Sequence, residues 1–162
     1  MMTGILNVSN VLLFYWILTL VFLLLFAIYD YRHHKIRNPA LAAFFVWCLL
    51  YIPVRSLADP SVHWIDLTFH AILGSMAAFL SLLFIYFLSN EGIGGGDIKL
   101  VTILAIPLGT AGILGMLLVS CLAALLHVWI QKKLQKKTME SIAYAPYVAL
   151  GVLVYVLPQI MI

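Results

Sequence analysis

The stretch IKLVTILAIPLGTAGILGMLLVSCLAALLHVWI, residues 98–130, decides how this chain folds. It is almost wholly apolar, yet one crossing of a bilayer takes only about 20 residues. Pro107, Gly109 and Gly112 interrupt its middle. Proline removes a backbone donor and glycine weakens a helix interior, so a break is expected there. The stretch therefore reads as two helices, about 97–109 and 112–130. Outward from it, four further apolar runs lie near 8–29, 39–57, 64–88 and 141–161. The expected fold is all-α: a polytopic membrane protein, a six-helix transmembrane bundle with a short fourth helix. Composition agrees, since 65% of the 162 residues are hydrophobic and 9% charged, where a soluble domain carries about 25% charged residues. No stretch outside the spans is long enough for a second domain, so 1–162 is read as one.

The first run is expected to stay as a spanning helix. It lacks a basic n-region, and Asp30 stands where small cleavage-site residues belong. Cys48 and Cys121 both fall in apolar runs and read as buried thiols.

Charge sets the orientation. Lys and Arg favour the cytoplasmic side. With six spans, eight of the nine fall on one side: Arg32, Lys35 and Arg37, then Lys99, then Lys132, Lys133, Lys136 and Lys137. Arg55 alone falls opposite, near Asp59 and Asp66. Five spans would put the 132–137 cluster across the membrane from Arg32–Arg37. The chain is thus expected in the cell membrane with its site facing the cytoplasm. The fourth span is strained, because thirteen residues at 1.5 Å rise make only about 20 Å against a hydrocarbon core of about 30 Å. Asp97 is then expected slightly inside the membrane face, with the loop 89–96 lining a cavity.

Two acidic side chains lie at the inner mouths of these spans. Asp30 closes the first run, and Asp97 ends the run Gly94-Gly95-Gly96-Asp97. A carboxylate at a bilayer is costly unless paired or working. Capping a helix would account for one aspartate, but not for three successive glycines or for Asp30 at matching depth. The glycines permit a sharp turn and close approach of a substrate strand. Two nearby carboxylates do not both ionise easily, so one keeps its proton and the pair can activate a water. Asp30 and Asp97 are the candidate catalytic residues, and Gly94, Gly95 and Gly96 form the candidate active-site loop. Glu91, Lys99, Asn38 and Pro146 are candidate substrate contacts or supports.

The five histidines show no ligand spacing and no H-E-x-x-H is present, so no metal and no cofactor are expected. No Ser/His/Asp or Cys/His set is legible. The basic run 132–137 reads as a contact with anionic membrane lipid, and nothing indicates nucleic-acid binding. Ala71, Gly74, Ser75 and Ala78 share one side of the third span. Gly112, Gly115, Ser120 and Ala124 mark the fifth. Small residues at such spacing let backbones approach.

These segments resemble the type IV prepilin peptidases, membrane aspartic peptidases of the GxGD class. Asp30-Tyr31-Arg32 through Ile36-Arg37-Asn38-Pro39 is similar to the family's first-aspartate segment. Gly94-Gly95-Gly96-Asp97-Ile98-Lys99-Leu100 is similar to the second, and Tyr144 to Gly151 to the last helix. Arg37 stands where the family usually has proline, and the last helix keeps one of two prolines. The resemblance implies an endopeptidase that cuts the short basic leader from prepilin or pseudopilin precursors, with Asp30 and Asp97 as the pair. No methyltransferase domain is expected. The oligomeric state and the individual precursor stay open.

Three other readings share parts of this pattern. The presenilin and signal-peptide-peptidase type shares Tyr29-Asp30 and Gly-x-Gly-Asp, but its Pro-Ala-Leu should follow the second aspartate, whereas Pro39-Ala40-Leu41 precedes it. An ion-coupled small transporter would show inverted repeats. The third is a non-enzymatic assembly subunit.

Overall fold

A computed structural model describes residues 2–33, 36–88, 94–135 and 144–161. Within them the chain forms six helical elements and no strand: α1 (Met2–His33), α2 (Asn38–Leu49), α3 (Tyr51–Ala58), α4 (Trp64–Leu88), α5 (Gly95–Gln135) and α6 (Ala145–Met161). Four stretches are long and apolar enough to cross a membrane: Asn10–His33, Asn38–Ala58, Trp64–Phe87 and Gly95–Ile130. Ala145–Pro158 is apolar but shorter. The molecule is an all-helical membrane protein. By length and apolarity, four stretches qualify as spans where six were expected.

The second expected span is broken between α2 and α3. Pro53 is the cause. It has no N–H to give the carbonyl four residues back at Leu49, so the ladder fails there. Helix restarts at Tyr51, with Val54 N donating to Leu50 O at 3.1 Å.

Within α5, Gly109 has φ 65° and ψ −174°, which is not helical. Contacts on its two sides run in opposite directions. Before it, the chain climbs from Asp97 until Gly109 meets Gly74 of α4 so closely that a Cβ on Gly74 would lie 2.9 Å from the Gly109 carbonyl carbon. After it, Gly112 packs on Tyr155, the Gly151 Cα faces the Met116 carbonyl, and the Ser120 hydroxyl meets the Tyr144 hydroxyl at 2.9 Å. Those partners descend α6 toward its start. A straight helix would put Ser120 about 35 Å from Asp97, yet Tyr144, bonded to Ser120, stands within electrostatic range of Asp97. The chain therefore folds back at Gly109. The leg before it is about 20 Å long and the leg after it nearly twice that.

The small residues of α4 do what their spacing suggested, with Ala71 and Ala78 buried alongside Gly74. The core runs through the middle of the bundle, from Leu23 and Phe44 through Leu100, Val101 and Leu104 to Met116, Val148 and Val152. Away from the site, Tyr15 stacks on Trp47 at 5.0 Å, and Trp47 Nε1 donates to Thr19 Oγ1 at 2.9 Å. This clamp holds α1 against α2. Among the described residues the ion pair is Arg55–Asp59, at 3.7 Å, between the last turn of α3 and its C-cap.

Candidate functional site

Asp30 sits in the last turn of α1, where its own helix offers it nothing, since a helix C-terminus carries partial negative charge. Its partner comes from the other end of the chain. The Ala145 amide, in the first turn of α6, donates to Asp30 Oδ2 at 3.3 Å. The first amides of a helix lack intrahelical acceptors, so Asp30 caps α6 across the bundle and lies at the positive end of its dipole.

Asp97 occupies the first turn of α5. Gly94 is the residue that starts that helix, its carbonyl accepting from Asp97 N at 3.0 Å and Ile98 N at 3.3 Å. The Asp97 side chain folds back over Gly94, so close that a Cβ there would lie 3.1 Å from Asp97 Oδ2. Gly96 faces Ile36, of the short connection after α1, where an added Cβ would meet Ile36 Cβ at 3.2 Å. Gly95 has nothing within 4 Å of its Cβ position. Two of the three glycines thus sit in close approach, one to the carboxylate and one to the first-aspartate segment, where an added Cβ would press on its neighbour.

Both carboxylates are buried, Asp30 at 5% exposed and Asp97 at 9%. They come from α1 and α5, and they are near enough to act on each other electrostatically. Asp97 Oδ1 is buried with no partner among the described residues. Buried polar atoms nearly always have one, so this oxygen is available to a water or a substrate group.

The other expected contributors make contacts of their own. Lys99 lies two residues beyond Asp97, about 200° around the helix. Its Nζ donates to Asn38 Oδ1 at 3.2 Å in an exposed bond that joins α5 to α2. Pro146 is in the first turn of α6, a position proline tolerates, and faces an apolar groove between α1 and α6. Glu91 lies outside the described residues.

Tyr144 was not anticipated. It precedes α6, its hydroxyl pairs with Ser120 Oγ at 2.9 Å and approaches Cys121 Sγ at 3.4 Å, and it stands in range of Asp97. Ser120 is fully buried. The signal for this cluster was a hydroxyl in an otherwise apolar run, which calls for a partner without naming one 24 residues away.

The family model described as the type IV leader peptidase family matches residues 17–129, a stretch that takes in both aspartates. A curated relative, the prepilin leader peptidase/N-methyltransferase of Pectobacterium carotovorum subsp. carotovorum, is 30% identical over 128 residues. That alignment covers 66% of this chain and 46% of the relative, so the chain matches less than half of the relative's length. No solved structure matches the chain.

Proposed function

The chain belongs to the type IV leader peptidase family, and from that premise we propose that it is a membrane aspartic endopeptidase. It removes the short basic leader from type IV prepilin-like precursors at the cytoplasmic face of the cell membrane. The observation that carries the reading is the pairing itself: two buried aspartates from α1 and α5 share one site inside the matched stretch.

The chain crosses the membrane six times, with α2 and α3 as one crossing and α5 as two, the first of them short. The reversal at Gly109 supports this count. It returns Lys132 and Lys133 to the side of Arg32 and Arg37, and the bias of Lys and Arg toward the cytoplasm supports that side facing inward.

The pair acts as acid and base. One carboxylate, ionised, takes a proton from a water held between them. The oxygen of that water adds to the scissile carbonyl carbon, while the second carboxyl, protonated, gives its proton to the carbonyl oxygen. The tetrahedral intermediate collapses with a proton passing to the departing amide nitrogen, and the C–N bond breaks. The Ala145 amide fixes the orientation of Asp30, and Asp97 Oδ1 offers the free lone pairs. Glu91, ahead of the glycine run, supplies an acidic neighbour for the basic leader.

The test is coexpression of the chain with a prepilin, following leader removal on a gel for the wild type, Asp30→Asn and Asp97→Asn. Each substitution is expected to abolish processing while the protein stays in the membrane. Processing that survives either one would refute the paired mechanism. Aspartate-dependent proton flux without cleavage would favour a carrier.

A further inference from the structure

The bundle has an apolar groove of about 290 Å³ between α1 and α6. Its α1 wall is Leu20, Leu24 and Ala27, and its α6 wall includes Pro146, Ala149 and Leu150. On α1 these residues fall at i, i+4 and i+7, and Asp30 follows Ala27 three residues on, about one turn further and about 60° toward the interior. On α6 the wall begins at Pro146, adjacent to Ala145, whose amide holds Asp30. The groove therefore ends about one helical turn, roughly 5 Å along α1, short of Asp30. Leu24 and Leu150 form exposed rims at 56% and 50%, while Ala27 is buried and Ala149 half-buried along the floor. Small residues below and leucines beside them are the arrangement that lets another helix lay one face against a bundle.

A second groove of about 340 Å³ lies among α2, α4 and α5, walled in part by Phe45 and Phe79. Its lining includes Asn38 and Lys99, whose exposed hydrogen bond sets a cation at that end. The α1/α6 groove is lined by apolar side chains alone and ends beside a carboxylate, which suits an apolar helix followed by a basic leader.

We infer that the α1/α6 groove is the lateral docking track for the apolar segment of the precursor, holding that helix so that its cytoplasmic end arrives at Asp30. This rests on the proteolytic reading above. The chemistry selects the occupant. The walls are apolar along their whole length, so they match a bilayer-embedded helix. The acidic end matches the point where such a helix leaves lipid and its basic leader begins. From Leu20 to Ala27 the track is about 10 Å long. It therefore grips about two turns of the precursor, those next to the cut, and leaves the remainder in lipid.

The experiment uses the full chain in vesicles with a prepilin as the membrane-embedded substrate. A photo-crosslinking phenylalanine analogue is placed at Leu150, or at Phe79 in the other groove, in the Asp97→Asn background so that the precursor is held uncut. Capture of the prepilin from position 150 and not from 79 is expected. Ala149→Phe, which fills the floor, is expected to lower processing of the membrane-embedded prepilin about tenfold or more, through KM. It should leave cleavage of a peptide with leader and scissile bond, but no apolar segment, within about twofold. Capture of lipid only at 150, equal capture at both grooves, or unaltered processing by Ala149→Phe would overturn the inference. If the wild type cuts neither substrate while position 150 still captures the prepilin, the docking track stands and the peptidase reading fails.

Discussion

Asp30 has two duties that substitution can separate. Its carboxylate caps α6 through the Ala145 amide, and it faces Asp97. Asparagine keeps an acceptor oxygen for the amide, and alanine does not. Asp30→Asn is therefore expected to fold as the wild type, whereas Asp30→Ala loses about 0.5–2 kcal/mol, the usual value of a helix cap. Thermal unfolding in detergent checks this, and equal melting of the two variants would mean that the cap adds no stability. The glycines also divide. Gly94→Ala crowds Asp97 Oδ2 at 3.1 Å and should lower kcat about tenfold, since small misplacements of reacting groups are costly. Gly95→Ala meets nothing within 4 Å and should stay within about twofold. If both alanines behave alike, crowding of the carboxylate is not what the glycine provides. Activity of the pair should fall on both sides of an optimum, because protonating both carboxyls removes the base and ionising both removes the acid. The two limbs belong to the pair and not to either residue. A profile of kcat/KM against pH with one limb would argue for a single working carboxylate. Both aspartates and the glycine run were legible in the sequence, because charge at an apolar boundary is rare enough to stand out. The Ala145 amide was not, since a backbone donor has no residue type to give it away.

Among the elements, α5 depends most on one backbone conformation. With φ 65° and ψ −174°, Gly109 occupies a region that is essentially reserved for glycine, where another residue costs about 1–3 kcal/mol. Gly109→Ala should lose that much and loosen the return of the chain toward α6. A second site of close approach is Gly151, where a Cβ would lie 2.7 Å from the Met116 carbonyl oxygen. Overpacking of this kind costs about 1–3 kcal/mol. Gly115→Ala is the control, because its Cβ would meet Tyr155 Cδ2 at an ordinary 4.0 Å and the change should be within about 0.5 kcal/mol. Denaturation in mixed micelles ranks the three, and a Gly115 variant as weak as the Gly151 variant would remove the steric argument. Pro107, Gly109 and Gly112 announced a break from sequence. The reversal itself took tertiary contacts to see, because the same residues also occur in helices that merely kink. The break between α2 and α3 passed unread although Pro53 marks it, since the apolar run continues through it and hydropathy does not register a missing N–H.

At the scale of the molecule, the return at Gly109 is what brings the ends of the chain to one site. Without it Ser120 and Tyr144 could not meet beside Asp97, and the Lys132–Lys133 end of α5 would lie across the bundle from Arg37. The sequence specified membrane insertion and the helical class, since these follow from composition and from the length of the apolar runs. It left the neighbours of each helix open, because lipid-facing and helix-facing surfaces are equally apolar and periodicity carries little information there. The sidedness can be measured directly. Arg37, Ser61 and Lys133 are all exposed, whereas Cys48 is fully buried and Cys121 partly so, which keeps the background low for a membrane-impermeant maleimide. In oriented vesicles, Arg37→Cys and Lys133→Cys should label from one side, the cytoplasmic one, and Ser61→Cys from the other. Positions 37 and 133 are the informative comparison. Six crossings require them to share a side, whereas a straight 95–130 helix forming a single crossing requires them to differ. Labelling of 37 and 133 from opposite faces would therefore undo the reversal, and with it the argument that Asp30 and Asp97 work in one site.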